Sequence, residues 1–152
     1  MTTSVLQQIY ATLEQRYGDQ LDRFLLPPPS FETMSGEFTS FDPTQGILQT
    51  RFPVLHEWLN PYGLMQGGMI AAAIDNTLGP LSMLVAPPNV TRRLALKYSQ
   101  GVEAGTNALL VEARFIKRED RWLHFQARAY SPAGTRYASA EATHWILEPD
   151  LN

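Results

Sequence analysis

Asp75 is the only charged residue between Asn60 and Thr91. A carboxylate set among Met, Ile, Ala and Leu is costly to bury unless a partner or a reaction uses its charge. Gln66-Gly67-Gly68 opens the same apolar segment, with Gly68 seven residues before Asp75. If that segment is a helix, its first amides lack intrahelical acceptors and carry partial positive charge. Glycines there let a ligand oxygen come close to the backbone, so the pair could form an oxyanion-type hole for a polarised carbonyl. Gly-Gly also reads as ordinary turn punctuation, and Asp75 as a carboxylate paired with Asn76, a turn amide or an arginine of a neighbouring strand.

Spacing constrains the catalytic reading. Seven helical residues return a side chain to nearly the same face but carry it about 10 Å along the axis. A general base must come within about 3 Å of the proton it takes. Gly68 and Asp75 of one chain therefore cannot serve one carbonyl, whereas two antiparallel copies related by a twofold can. The expectation is a homodimer with shared sites.

The elements that must hold these residues show in the periodicity. Over 4–24, Leu6, Ile9, Tyr10, Leu13, Tyr17, Leu21 and Phe24 recur at helical spacing until Pro27-Pro28-Pro29. Strands are expected at 34–41 and 46–54, joined by a turn at Asp42-Pro43. An apolar helix follows from Gly67 to Val85, which Gly79-Pro80 should kink or divide. Four further strands are expected at 90–100, 106–117, 121–131 and 135–147. Ala138, Ala140 and Ala142 suggest a small-residue face beneath the helix. The fold class is α+β, an antiparallel sheet of five or six strands around one apolar helix. A helix apolar on nearly all sides needs cover on nearly all sides, which again calls for a second copy.

Composition narrows the function classes. The chain has 152 residues, 44% hydrophobic, with net charge −3. That is one domain's worth of chain without the basic stripe of a nucleic-acid protein. There is no cysteine, so thiol nucleophiles, disulfides and thiolate metal sites are excluded. A cytoplasmic protein is expected, without a signal peptide. Asp75, Asn76 and Gly79-Pro80 interrupt the apolar stretch, which argues for a core helix rather than a membrane span. His56, His124 and His144 show no metal-ligand spacing and read as solvated or structural. Arg92, Arg93 and Lys97 form a basic cluster that either meets phosphates or solvates a strand face. Trp58, Tyr62 and Met65 either line an acyl pocket or pack in the core.

The string Asn60-x-x-Gly63-x-x-Gln66-Gly67-Gly68, followed by Asp75-Asn76, resembles the signature of hotdog-fold acyl-CoA thioesterases of the phenylacetate-pathway (PaaI-like) type. The resemblance spans about 34–147, and it implies a hotdog domain over 31–152 with an N-terminal helical extension, 1–30. It implies that Asp75 is base or nucleophile, that the Gly67 and Gly68 amides polarise the thioester carbonyl, and that Asn60 positions water. Thr91 matches a hydroxyl position of some members. Tyr62, Met65, Thr91, Arg92 and Arg93 are the expected substrate contacts, with no metal or cofactor. The implied assembly is a dimer and possibly a dimer of dimers. Gln66 departs from the family's histidine: its amide can donate a hydrogen bond but cannot shuttle a proton. The alternatives are a non-catalytic acyl-thioester binding protein and an enoyl-thioester hydratase or dehydratase.

Overall fold

A computed structural model describes residues 3–147. The N-terminal helix α1, Val5–Tyr17, starts at a capping box in which the Gln7 amide donates to Ser4 Oγ and the Ser4 amide to Gln7 Oε1. It stops at Gly18, whose φ of 53° leaves the helical region. A 3₁₀ segment, Gly18–Arg23, completes the apolar run, so the expected single helix over 4–24 is two pieces. The proline triplet ends this region as expected but also begins another element. Pro29 is the first residue of a short helix α2, Pro29–Thr33, where proline's missing amide costs nothing.

Six strands follow: β1 Glu37–Asp42, β2 Ile47–Phe52, β3 Asn89–Tyr98, β4 Leu109–Glu119, β5 Trp122–Tyr130 and β6 Arg136–Ile146. They form one antiparallel sheet in the order β1-β2-β4-β5-β6-β3. Between β2 and β3 runs the apolar helix α3, Gly67–Val85. It is long and apolar enough to cross a membrane, but here the sheet wraps it. Ile70, Ala73, Ile74, Thr77, Leu78, Leu81 and Leu84 form its buried face, against Leu48, Phe52, Leu109, Val111, Leu123 and Phe125. The polar atom in this face is satisfied: the Thr77 hydroxyl lies 2.7 Å from that of Thr50 and donates to Ala73 O.

Two expectations need correcting. Pro80 does not divide α3. Its ring joins Ile9, Tyr10, Leu13, Met83 and Leu84 around a small apolar gap under α1, and this packing offsets the missing backbone bond. Secondly, α3 approaches β4, β3, β2 and β5, whereas β6 and its alanines are not close beneath it. Ala142 is paired between Leu94 and Phe125, and Ala140 between Leu96 and Ala127. The small residues of β6 sit opposite larger side chains of β3, Leu94, Leu96 and Tyr98.

The N-terminal helix covers the C-terminal end of α3. The Tyr17 hydroxyl donates to Met83 O and Ala86 O, at 3.0 and 2.9 Å, and burial pushes its pKa up to about 12. Tyr17→Phe removes the donor from two carbonyls at the end of α3. It should cost about 1–2 kcal/mol of stability, measured as a lower urea midpoint with unchanged m-value.

Candidate active site

The loop before α3 is built on Asn60. Its side-chain oxygen accepts the amides of Tyr62 (2.9 Å) and Leu64 (3.1 Å), and its own amide donates to Leu64 O (2.7 Å). Gly63 turns the chain at φ 76°, a conformation that favours glycine. Met65 and Gln66 are then anchored by backbone bonds to Val102 O and Trp58 O. Asn60 thus shapes the segment that delivers Gln66-Gly67-Gly68, leaving its Nδ2 as the group free to meet a ligand. Met65 is buried in the core, and Tyr62 stands almost fully exposed at the loop tip.

At the start of α3, Gln66 occupies the N-cap position and no side chain caps the helix. The first-turn amides of Gly67 and Gly68 therefore keep their donor capacity. Tyr98, at the end of β3, donates its hydroxyl to Gly67 O at 2.7 Å and lays its ring where a Gly67 Cβ would touch it. Sequence reading missed this tether, because nothing local links residue 98 to residue 67. A Cβ at Gly68 would meet nothing within 4 Å, and the same holds for Gly79 further along the helix. Glycine in a helix costs about 1 kcal/mol relative to alanine, and nothing inside this chain requires it at either position.

Asp75 lies on the open flank of α3 and is exposed in the single chain. Among the interactions of the described residues, Asp75 pairs neither with Asn76 nor with an arginine. Asn76 instead accepts from Ser30 Oγ at 2.8 Å and donates to Met34 Sδ at 3.4 Å, fixing α2 to α3. The partner of Asp75 is Thr91, whose Oγ1 is 3.3 Å from Asp75 Oδ1. The surrounding protein raises the Asp75 pKa above the ordinary carboxylate value, and the Thr91 hydrogen bond opposes that rise in part.

Thr91 reaches Asp75 because β3 carries a bulge. From Tyr98 to Leu94 alternate residues of β3 face the core, opposite Ala138, Ala140 and Ala142 of β6. Regular alternation would next place Arg92 inward, opposite His144. The register instead shifts between Thr91 and Arg93, so Thr91 faces His144. Arg92 is exposed, with its guanidinium 6.0 Å from the Trp145 ring centroid. Arg93 is paired with Thr143 and is also exposed. The two arginines flank the site on the edge strand, and Thr91 takes the place nearest the acid.

Behind Thr91 sits His144, which is 1% exposed. Its Nε2 is 3.4 Å from Thr91 Oγ1 and its Nδ1 is 2.8 Å from Asn89 Oδ1. Burial drives its pKa down to about 4, so the ring is neutral. A single histidine on a strand gives no sequence signal of this role, which emerges only when β3 is laid beside β6. Among the described residues, no group of three His, Asp or Glu side chains is placed to hold a metal ion.

No family model and no curated protein matches the chain. Solved structures do. A phenylacetic acid degradation-related protein from Ralstonia eutropha is 25% identical, with TM-score 0.74, covering 86% of this chain and 99% of its own. A thioesterase family protein from Silicibacter pomeroyi is 15% identical, with TM-score 0.72, covering 90% and 99%. A Streptococcus mutans protein bound to acetyl-CoA is 21% identical, with TM-score 0.68, covering 74% and 88%.

This is the hotdog fold, and these structures are what the chain is similar to.

In this hotdog domain the central helix carries an acid that proton binding relieves. A carboxyl whose folded pKa is raised contributes stability below its unfolded pKa and loses it as pH rises through the folded value. Asp75→Asn should therefore raise the urea midpoint at pH 7. The gain should stay below about 1 kcal/mol, because the flank is open to water, and should vanish near pH 3, where Asp75 is protonated in both states.

Proposed function

We propose that the protein hydrolyses an acyl-CoA thioester at a site shared between two copies of the chain. The observation that carries this reading is the Asp75–Thr91 pair on the open flank of a helix whose glycine N-terminus is uncapped. Asp75 is ionised above its raised pKa. It takes a proton from water while the water oxygen attacks the thioester carbon. The carbonyl oxygen, becoming an oxyanion, is held by the Gly67 and Gly68 amides of the other copy. Gln66 donates from its side-chain amide, and Asn60 Nδ2 and Thr91 position the water. The tetrahedral intermediate then expels the thiolate.

Three observations on the single chain support a second copy. Asp75 and Gly68 stand about 10 Å apart on one helix, too far to act together. The edge strand β3 offers unpaired backbone groups that a second β3 can complete. Gly68 and Gly79, unexplained within one chain, leave space for a close backbone or a substrate. The acetyl-CoA bound by the Streptococcus mutans protein supports coenzyme A as the carrier. Exposed Tyr62, Arg92 and Arg93 would meet its adenine and phosphates, with Thr91 beside the acyl carbon and Met65 forming the wall beneath. A concavity of about 630 Å³ on the outer sheet face, lined by Lys97, Glu112, Arg114, Arg128, Arg136 and Glu141 among others, offers a surface for pairing dimers. We place the protein in the cytoplasm, where acyl-CoA is found, and assign it no nucleic-acid, membrane, metal or cofactor partner.

A hydratase needs a proton-donating histidine at the substrate, and His144 is buried and neutral behind Thr91. A binding protein without turnover is the remaining alternative, on the strength of Gln66. Thiol release from a panel of acyl-CoAs distinguishes the two: free thiol is expected, and tight binding without it would establish the binding protein. Asp75→Asn should lower kcat at least about 100-fold while the circular dichroism spectrum is unchanged. Retained activity would exclude Asp75 as the base. Light scattering should give at least twice the 17.1 kDa chain mass, and a monomer would dissolve the shared site.

A further inference from the structure

We infer that His144 is a positioning residue that acts through Thr91 to hold Asp75 ready to accept a proton. The inference rests on the reading of Asp75 as the base.

The argument is a count of protons along four side chains. Asn89 directs its Nδ2 to Pro87 O (2.9 Å) and Ser82 O (3.4 Å), two carbonyls that can only accept. Its Oδ1 is therefore the atom facing His144 Nδ1 at 2.8 Å, and the neutral ring must carry its proton there. Nε2 is then a bare acceptor, aimed at Thr91 Oγ1 at 3.4 Å. On the other side of Thr91 lies Asp75 Oδ1 at 3.3 Å. When Asp75 is ionised, two acceptors compete for the single hydroxyl proton of Thr91. Whichever one receives it, the other faces a lone pair of Thr91 Oγ1.

One added proton removes the conflict. With Asp75 protonated, its O–H donates to Thr91 Oγ1, Thr91 donates to His144 Nε2, and His144 Nδ1–H donates to Asn89. Each of these three contacts then has one donor and one acceptor. In the proposed reaction that proton comes from water: the water O–H bond breaks as an O–H bond forms on Asp75, and the hydroxide oxygen goes to the carbonyl carbon. The protons on Thr91 and His144 rotate or stay but do not leave their residues.

Burial raises the Asp75 pKa as well, and the proton chain adds to it by taking the Thr91 hydroxyl proton away from the carboxylate; among the described residues no charged group near the acid does the same. On α3 itself Asp75 is the only titratable side chain. On β3, Arg92, Arg93 and Lys97 are exposed, and the Arg92 guanidinium lies 6.0 Å from the Trp145 ring centroid. The α2 segment contributes Ser30, tied to Asn76, and Glu32, which is exposed. Around His144 the neighbours from β5 are Leu123 and the Phe125 ring, both uncharged.

Two measurements on the intact protein decide the matter without substrate. Ring ¹⁵N shifts of His144 at neutral pH should show a neutral imidazole protonated on Nδ1. A proton on Nε2, or a charged ring, overturns the proposal whether or not any variant folds. Carboxyl ¹³C titration of Asp75 should give a midpoint lower by about half a unit or more in His144→Phe, because the protonated form loses its chain of acceptors. An unchanged or raised midpoint overturns the proposal. A protein that shows both signatures but releases no thiol keeps this network and loses the hydrolase reading. One that releases thiol through Asp75 without them keeps the reaction and loses the network.

Discussion

One extra residue in an edge strand governs the composition of the candidate site. β3 alternates strictly from Tyr98 to Leu94, and continued alternation would press the Arg92 guanidinium against buried His144. A cation there would have to shed part of its hydration next to Phe125 and Leu123, and it would meet Asp75 on its other side. The bulge changes the parity once, sends Arg92 to the Trp145 ring and turns Thr91 to the place between His144 and Asp75. The acid is thereby met by a hydroxyl and not by an arginine. A salt bridge would have lowered its pKa, whereas partial desolvation by the surrounding protein, only partly opposed by the hydroxyl, leaves it raised.

The central helix works on two sides under different constraints. Its inner face is held by large aliphatic and aromatic side chains of four strands, with the Thr50–Thr77 pair and the Ser82 hydroxyl's bond to Gly79 O satisfying its buried polar atoms. Its outer flank carries Gly68, Asp75 and Gly79, residues that weaken a helix or cost free energy in an apolar setting. The α1 and α2 helices cover part of that flank through Tyr17, Ser30 and Met34 but stop short of Asp75. Residues kept at a cost to the isolated chain mark where it meets something outside itself.

Much of this was legible from local pattern. Periods of two and near four located all six strands and the apolar helix α3 to within a few residues, because burial on one face writes itself directly into sequence spacing. The isolated carboxylate and the Gln-Gly-Gly turn singled out both ends of the candidate site for the same reason: each violates its surroundings. Other features were hidden. Gly18 ends α1 early, and Pro29 starts a helix where the prolines read only as a stop. Pro80 sits inside an unbroken helix because packing under α1 outweighs its local preference.

The sequence by itself determined the fold class, the apolar helix and the conspicuous acid upon it, since hydrophobic periodicity and misplaced polarity are properties of neighbouring residues. Only the tertiary structure decided which groups surround that acid. His144, Asn89 and Tyr98 enter through the pairing of strands and the approach of β3 to α3, and one bulged residue reverses which side chains meet. Cross-strand register depends on contacts between residues far apart in the chain, and a shift of one position exchanges the two faces of a strand.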